Sequence, residues 1–171
     1  MKSFFIVISI IFTSSVSAQT LKKFPVSNSG VSYYNYCDAK FKLDYSSDSS
    51  KVYTGECVSG DITYGIICVV LLNPVIDLTA AEDLMIAYAD YLKATFSIQQ
   101  SAGYGKGHRL NNNEKTRGIL DYWTDKDNDK WKIKVWTDGK FIGFMYAYGS
   151  KELPEQKVNV FLESIRFPQM K

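Results

Sequence analysis

Between Tyr122 and Tyr148 apolar and polar residues alternate around a central Asp138-Gly139, and no other stretch constrains the fold so tightly. Strand side chains point alternately to opposite faces, and Asp-Gly is a strong signal for a two-residue hairpin turn. Centring a hairpin there sets Trp131, Ile133 and Val135 across from Tyr146, Phe144 and Ile142, which makes one face wholly apolar. Lys132, Lys134 and Trp136 then lie on the other face. Centring the preceding turn on Asp127-Asn128 adds Leu120 and Tyr122 to the dry face and sets Asp121 opposite Lys134 on the wet one. A slip of one residue would bury the lysines, so this register of a three-stranded antiparallel meander is the expected one.

Upstream, residues 31–36 and 39–45 read as strands, the second alternating Phe41 and Leu43 with Lys40, Lys42 and Asp44 around one dry face. Residues 51–58 and 62–72 read as a hairpin turning at Gly60-Asp61 and ending before Asn73-Pro74. Thr79-Ala80-Ala81-Glu82 has the form of a capping box, predicting a helix over 80–96 with Ala81, Met85, Tyr88, Leu92 and Phe96 on its core face. Pro154 opens a closing helix in which Val158, Phe161, Leu162 and Ile165 share a face. Residues 19–30 are polar and aperiodic and read as a flexible lead-in of little structural weight, followed by a single domain over 31–171. The class is α+β with an antiparallel sheet.

Residues 1–18 carry an early lysine, an apolar run over 4–12 and the small-residue stop Val16-Ser17-Ala18. This is the pattern of a cleavable secretory signal, with Gln19 the first mature residue and a secreted or periplasmic destination. The run is too short to span a membrane, which takes roughly 20 residues, and no longer one follows. The formal net charge of +2 provides no basic field to attract nucleic acid. Of the three cysteines, Cys57 and Cys68 fall four residues apart in the expected hairpin register, too far to bond. Cys37 with Cys57 is therefore the preferred disulfide in an oxidising compartment, and three buried free thiols are the alternative.

The order of strands, helix, meander and a closing Lys157-Val-Asn-Val-Phe-Leu-Glu-Ser-Ile-Arg-Phe167 helix resembles the PsbP-like fold. The likeness is carried by residues 41–45, 122–148 and 161–167. It implies an α/β/α sandwich, a central antiparallel sheet with a helix on each face, of the kind found in exported bacterial proteins of mostly unknown role. A second covered face would explain why Trp136, Phe141 and Met145 gather on the more polar side of the meander.

Several constellations touch on chemistry. Asp125, Asp127 and Asp129 begin like a calcium loop, but Lys130 stands where the sharp-turn glycine belongs and Trp136 where the bidentate glutamate belongs, so a solvated turn is expected and no metal. The glycine-broken stretch 103–109 brings Lys106, His108 and Arg109 together as a candidate anion patch, although it fits no phosphate-binding motif and a plain connection is the simpler reading. His108 is the single histidine, which leaves no histidine metal cluster and only one base for a triad. Glu56, Asp61, Glu82, Asp121 and Glu152 are the carboxylates from which a hydrolase would draw a pair. Trp123 and Trp136 share the less apolar face and offer stacking surfaces, and with Tyr88 they would line a ligand pocket between sheet and helix. The sequence therefore supports an exported, non-enzymatic module that binds a protein or envelope component. A small-ligand carrier is the first alternative and a hydrolase without a recognisable motif the second; no cofactor is expected.

Overall fold

The computed structural model describes residues 20–168, so the expected signal and its cleavage point between Ala18 and Gln19 lie outside the described residues. In chain order the elements are β1 (Lys22–Pro25), β2 (Ser32–Asn35), β3 (Lys40–Tyr45), β4 (Lys51–Ser59), β5 (Ile62–Val70), α1 (Leu78–Thr95), β6 (Ile98–Ser101), β7 (Gly105–His108), β8 (Arg117–Asp125), β9 (Lys130–Thr137), β10 (Phe141–Gly149) and α2 (Glu155–Leu162). β1 and β2 form a small hairpin, and the other eight strands form one antiparallel sheet in the order β3-β4-β5-β10-β9-β8-β6, with β7 also pairing β8. The protein is thus a mostly-sheet α+β structure with two helices.

The β4–β5 hairpin turns at Gly60-Asp61, pairing Cys57 with Tyr64 and Tyr53 with Cys68. The meander departs from the expected register at both turns, for two different reasons. At Asp138-Gly139 the closest pair is Ile142 with Thr137, two residues out from a tight turn. The Asp138 carboxylate accepts the backbone N–H groups of Lys140 and Phe141, and the carbonyls of Gly139 and Lys140 accept from Val75 and Leu71, so the turn opens to dock on the chain leaving β5. A shift of two keeps every side chain on its expected face. At the preceding turn Asp125 accepts from the N–H groups of Asp127 and Asp129, and Asn128 takes a left-handed φ of 64°, which makes a three-residue loop. That shift of one sets Trp123 opposite Trp131 and Tyr122 opposite Lys132, so Ile119, Asp121 and Trp123 turn inward where Leu120 and Tyr122 were expected.

Alternate residues of β9 and β10 enter two separate buried clusters. Trp131, Ile133, Val135, Ile142, Phe144 and Tyr146 pack with Met85, Ala89 and Leu92 of α1. Trp136, Met145 and Ala147 pack with Val158, Phe161 and Leu162 of α2 and with Tyr33 of β2. The face expected to be wet is therefore covered, and Lys132 and Lys134 are only 3% and 7% exposed. Glycines make room for the large rings: a Cβ on Gly118 would stand 2.4 Å from the Trp136 ring, and one on Gly65 would stand 2.1 Å from Tyr146.

Three further expectations change. Asp77, not Thr79, caps α1, its carboxylate accepting the Thr79 N–H at 3.0 Å, and the helix begins at Leu78. α2 stops at Leu162; Ser164 exchanges hydrogen bonds with the Tyr34 backbone and Arg166 bridges Ser32, so Ile165 and Phe167 reach the core from an extended tail. Within residues 19–30, β1 is a strand paired along β2, and Val26 is fully buried. Four residues are too few to show a period in sequence.

Candidate functional site

The residues singled out from the sequence do not all converge on one pocket. Trp123 belongs to the α1 cluster, its indole N–H donating to Asp121 at 2.7 Å, and Tyr88 packs partly buried against the same cluster. Trp136 belongs to the α2 cluster and donates to the Leu162 carbonyl at 2.8 Å. Both indoles are almost fully buried and hydrogen-bonded; Trp123 borders a cleft beside Tyr122, and Trp136 borders a cavity beside His108 and Arg109. Burial pushes the Tyr88 hydroxyl up to about 12.

The glycine stretch is the short strand β7, on which Lys106 is exposed. His108, Arg109 and Trp136, three of the residues singled out, border one cavity of about 460 Å³ with Asn111, Lys134 and Glu163. Its cations already have carboxylates: Arg109 Nε lies 3.5 Å from Glu114 and Lys134 Nζ lies 2.5 Å from Glu163. Burial and the nearby Lys134 hold the His108 pKa below its ordinary value, against an opposing pull from Glu163.

Of the candidate carboxylates, Asp61 and Glu152 border one cavity of about 250 Å³, while Glu56, Glu82 and Asp121 sit on β4, α1 and β8. Glu56 accepts from the Tyr146 hydroxyl at 2.7 Å, and Asp61 pairs with Lys151 at 2.6 Å. Asp121, fully buried, accepts from Ser101, the Gly103 and Tyr122 N–H groups and Trp123, with Lys93 at 3.7 Å, and so ties β6, β8 and α1 together. Asp125 serves its own turn and the Trp131 indole. Among the described residues no three His, Cys, Asp or Glu side chains group as a metal site.

A cleft of about 720 Å³ opens elsewhere, between the β6 end of the sheet and the segment leading into α2. Ser101 and Ala102 form one wall, Tyr122 and Lys132 the floor, and the Ser150–Glu155 region the other wall. The edge is held by the Ala102 N–H donating to the Tyr122 carbonyl at 3.0 Å. Tyr122 is 46% exposed, and the Lys132 ammonium sits 5.0 Å from its ring centre while pairing with Glu155. The Lys132 bond and charge hold the Glu155 carboxyl below its usual range. Burial opposes the charge on Lys132, but hydrogen bonding with Glu155 and Tyr122 outweighs it and raises the lysine pKa. The groove thus presents a flat aromatic surface beside groups of fixed charge.

Compared with protein-family models and with curated proteins, the chain finds no match. The groove stands on its own geometry.

Cys37 and Cys57 form a disulfide with their Cα atoms 5.9 Å apart, and Cys68 is a buried free thiol pushed up to about 12. Among the described residues no helix is long and apolar enough to cross a membrane. Sequence reasoning missed Tyr122 because a two-residue turn at Asp127-Asn128 sent it inward. The signal was present in Asp125, whose short carboxylate can take two N–H groups of its own turn and lengthen the loop.

Proposed function

We propose that the chain is an exported, non-enzymatic binding module of PsbP-like α/β/α architecture, and that it holds a segment of a protein or envelope component in the groove over Tyr122. The carrying observation is an exposed tyrosine ring lining a cleft of about 720 Å³, with Lys132 and Glu155 locked into an ion pair beside it. An aromatic plate accepts an apolar side chain or the flat face of a sugar, and fixed charges at its rim orient polar groups of the ligand. General acid catalysis requires a carboxyl held protonated near neutral pH, whereas Glu155 is held ionised. Export is supported by the disulfide and by the signal-like N-terminal pattern. The division of the core into an α1 cluster and an α2 cluster supports the sandwich.

The test places a photo-crosslinking amino acid at Tyr122 and, separately, at the exposed Tyr91 of α1, in the cells that export the protein. A discrete adduct from position 122 and none from 91 is expected. Equal or absent adducts at the two positions contradict the reading.

A further inference from the structure

We infer that β3 is a self-complementary edge through which two copies of this chain join their sheets into one. β3 ends the sheet order, and among the described residues no strand pairs its outer side. Its expected dry face is only partly covered: Leu43 is 41% and Tyr45 60% exposed. The direction of its backbone groups follows from the turn that ends it. Ser46 donates to the Ser50 carbonyl, which marks 46 and 50 as a hydrogen-bonded pair in the antiparallel register of β3 with β4. In such a ladder hydrogen-bonded pairs alternate with non-bonded ones, so Asp44 and Lys42 bond inward while Phe41, Leu43 and Tyr45 direct their N–H and C=O groups outward. The Tyr45 N–H is met there by the Asp44 carboxylate at 2.9 Å.

A twofold axis perpendicular to the sheet can pass through only a few positions of this strand. Centred on Lys42 it sets two lysines face to face, and centred on Asp44 it opposes two aspartates. Centred on Leu43 it exchanges both Leu43 backbone hydrogen bonds and sets Phe41 opposite Tyr45 of the second copy. It also sets each Lys42 opposite the other copy's Asp44, at a non-bonded pair where side chains approach most closely. Lys42 and Asp44 already lie 3.5 Å apart within the strand, so their side chains occupy the same face. Among the registers centred on Lys42, Leu43 and Asp44, charge thus selects the one on Leu43, and in it the apolar stripe of Phe41, Leu43 and Tyr45 abuts that of its own copy.

Sedimentation equilibrium of the full chain, at concentrations up to about millimolar and at low salt, tests this with three variants whose folding is checked by circular dichroism. The wild type should dimerise, more weakly as salt rises. Lys42→Asp and Asp44→Lys, each placing like charges opposite, should weaken the dimer about tenfold or more. The double variant Lys42→Asp with Asp44→Lys should restore it. A monomer throughout, a dimer indifferent to the single changes, or a double variant that fails to recover overturns the inference.

Discussion

Asp121 shows how one side chain can be placed by structure alone. Its carboxylate is fully buried yet takes hydrogen bonds from four donors on two segments, residues 101–103 and 122–123, with Lys93 of α1 close by. Removing a hydrogen-bonded buried charge strands its donors, so Asp121→Ala should lower stability by about 3 kcal/mol or more in urea unfolding. His108 carries a different prediction. Its pKa is lowered in the folded protein by burial and by Lys134. The folded state therefore prefers the neutral ring, and this contribution is complete above the ordinary value of 6.5 and fades as pH falls through the folded pKa. As His108 is the single histidine, stability should decline as pH falls below about 6.5, and His108→Gln should flatten that slope in thermal melts. The disulfide partner of Cys57 was legible in the sequence because one turn, Gly60-Asp61, fixed which cysteines could not meet.

The elements were more legible than their pairing. Strand alternation placed β3, β4, β5 and the meander within a residue or two, and the apolar spacing of Met85 and Leu92 placed α1. The turns set the rest. Asp125 and Asp138 recruit backbone N–H groups of their own loops, which lengthens both turns, and only an odd shift changes faces. The expectation that lysines must face water failed because α2 brings Glu163 and Glu155 to Lys134 and Lys132. Glu163→Gln leaves the Lys134 ammonium buried without its carboxylate and should cost about 1–3 kcal/mol in urea unfolding. Lys134→Met with Glu163→Leu, which removes both charges, should recover most of that loss.

Across the whole molecule the Cys37–Cys57 bond joins the segment after β2 to β4 and so fastens the β1–β2 hairpin to the large sheet. Its 20-residue separation restricts the unfolded chain, and Cys37→Ser with Cys57→Ser should lower stability by about 3 kcal/mol. The groove was not legible in the sequence, because its walls come from β6, β8, β9 and the segment before α2, which only the folded chain brings together. Its use is tested most directly by amide hydrogen exchange of the protein with and without a detergent-solubilised envelope fraction of the cells that make it. The account predicts slowed exchange confined to residues 100–102, Tyr122 and 150–155. Protection centred on another surface, or none at saturating envelope fraction, would contradict it.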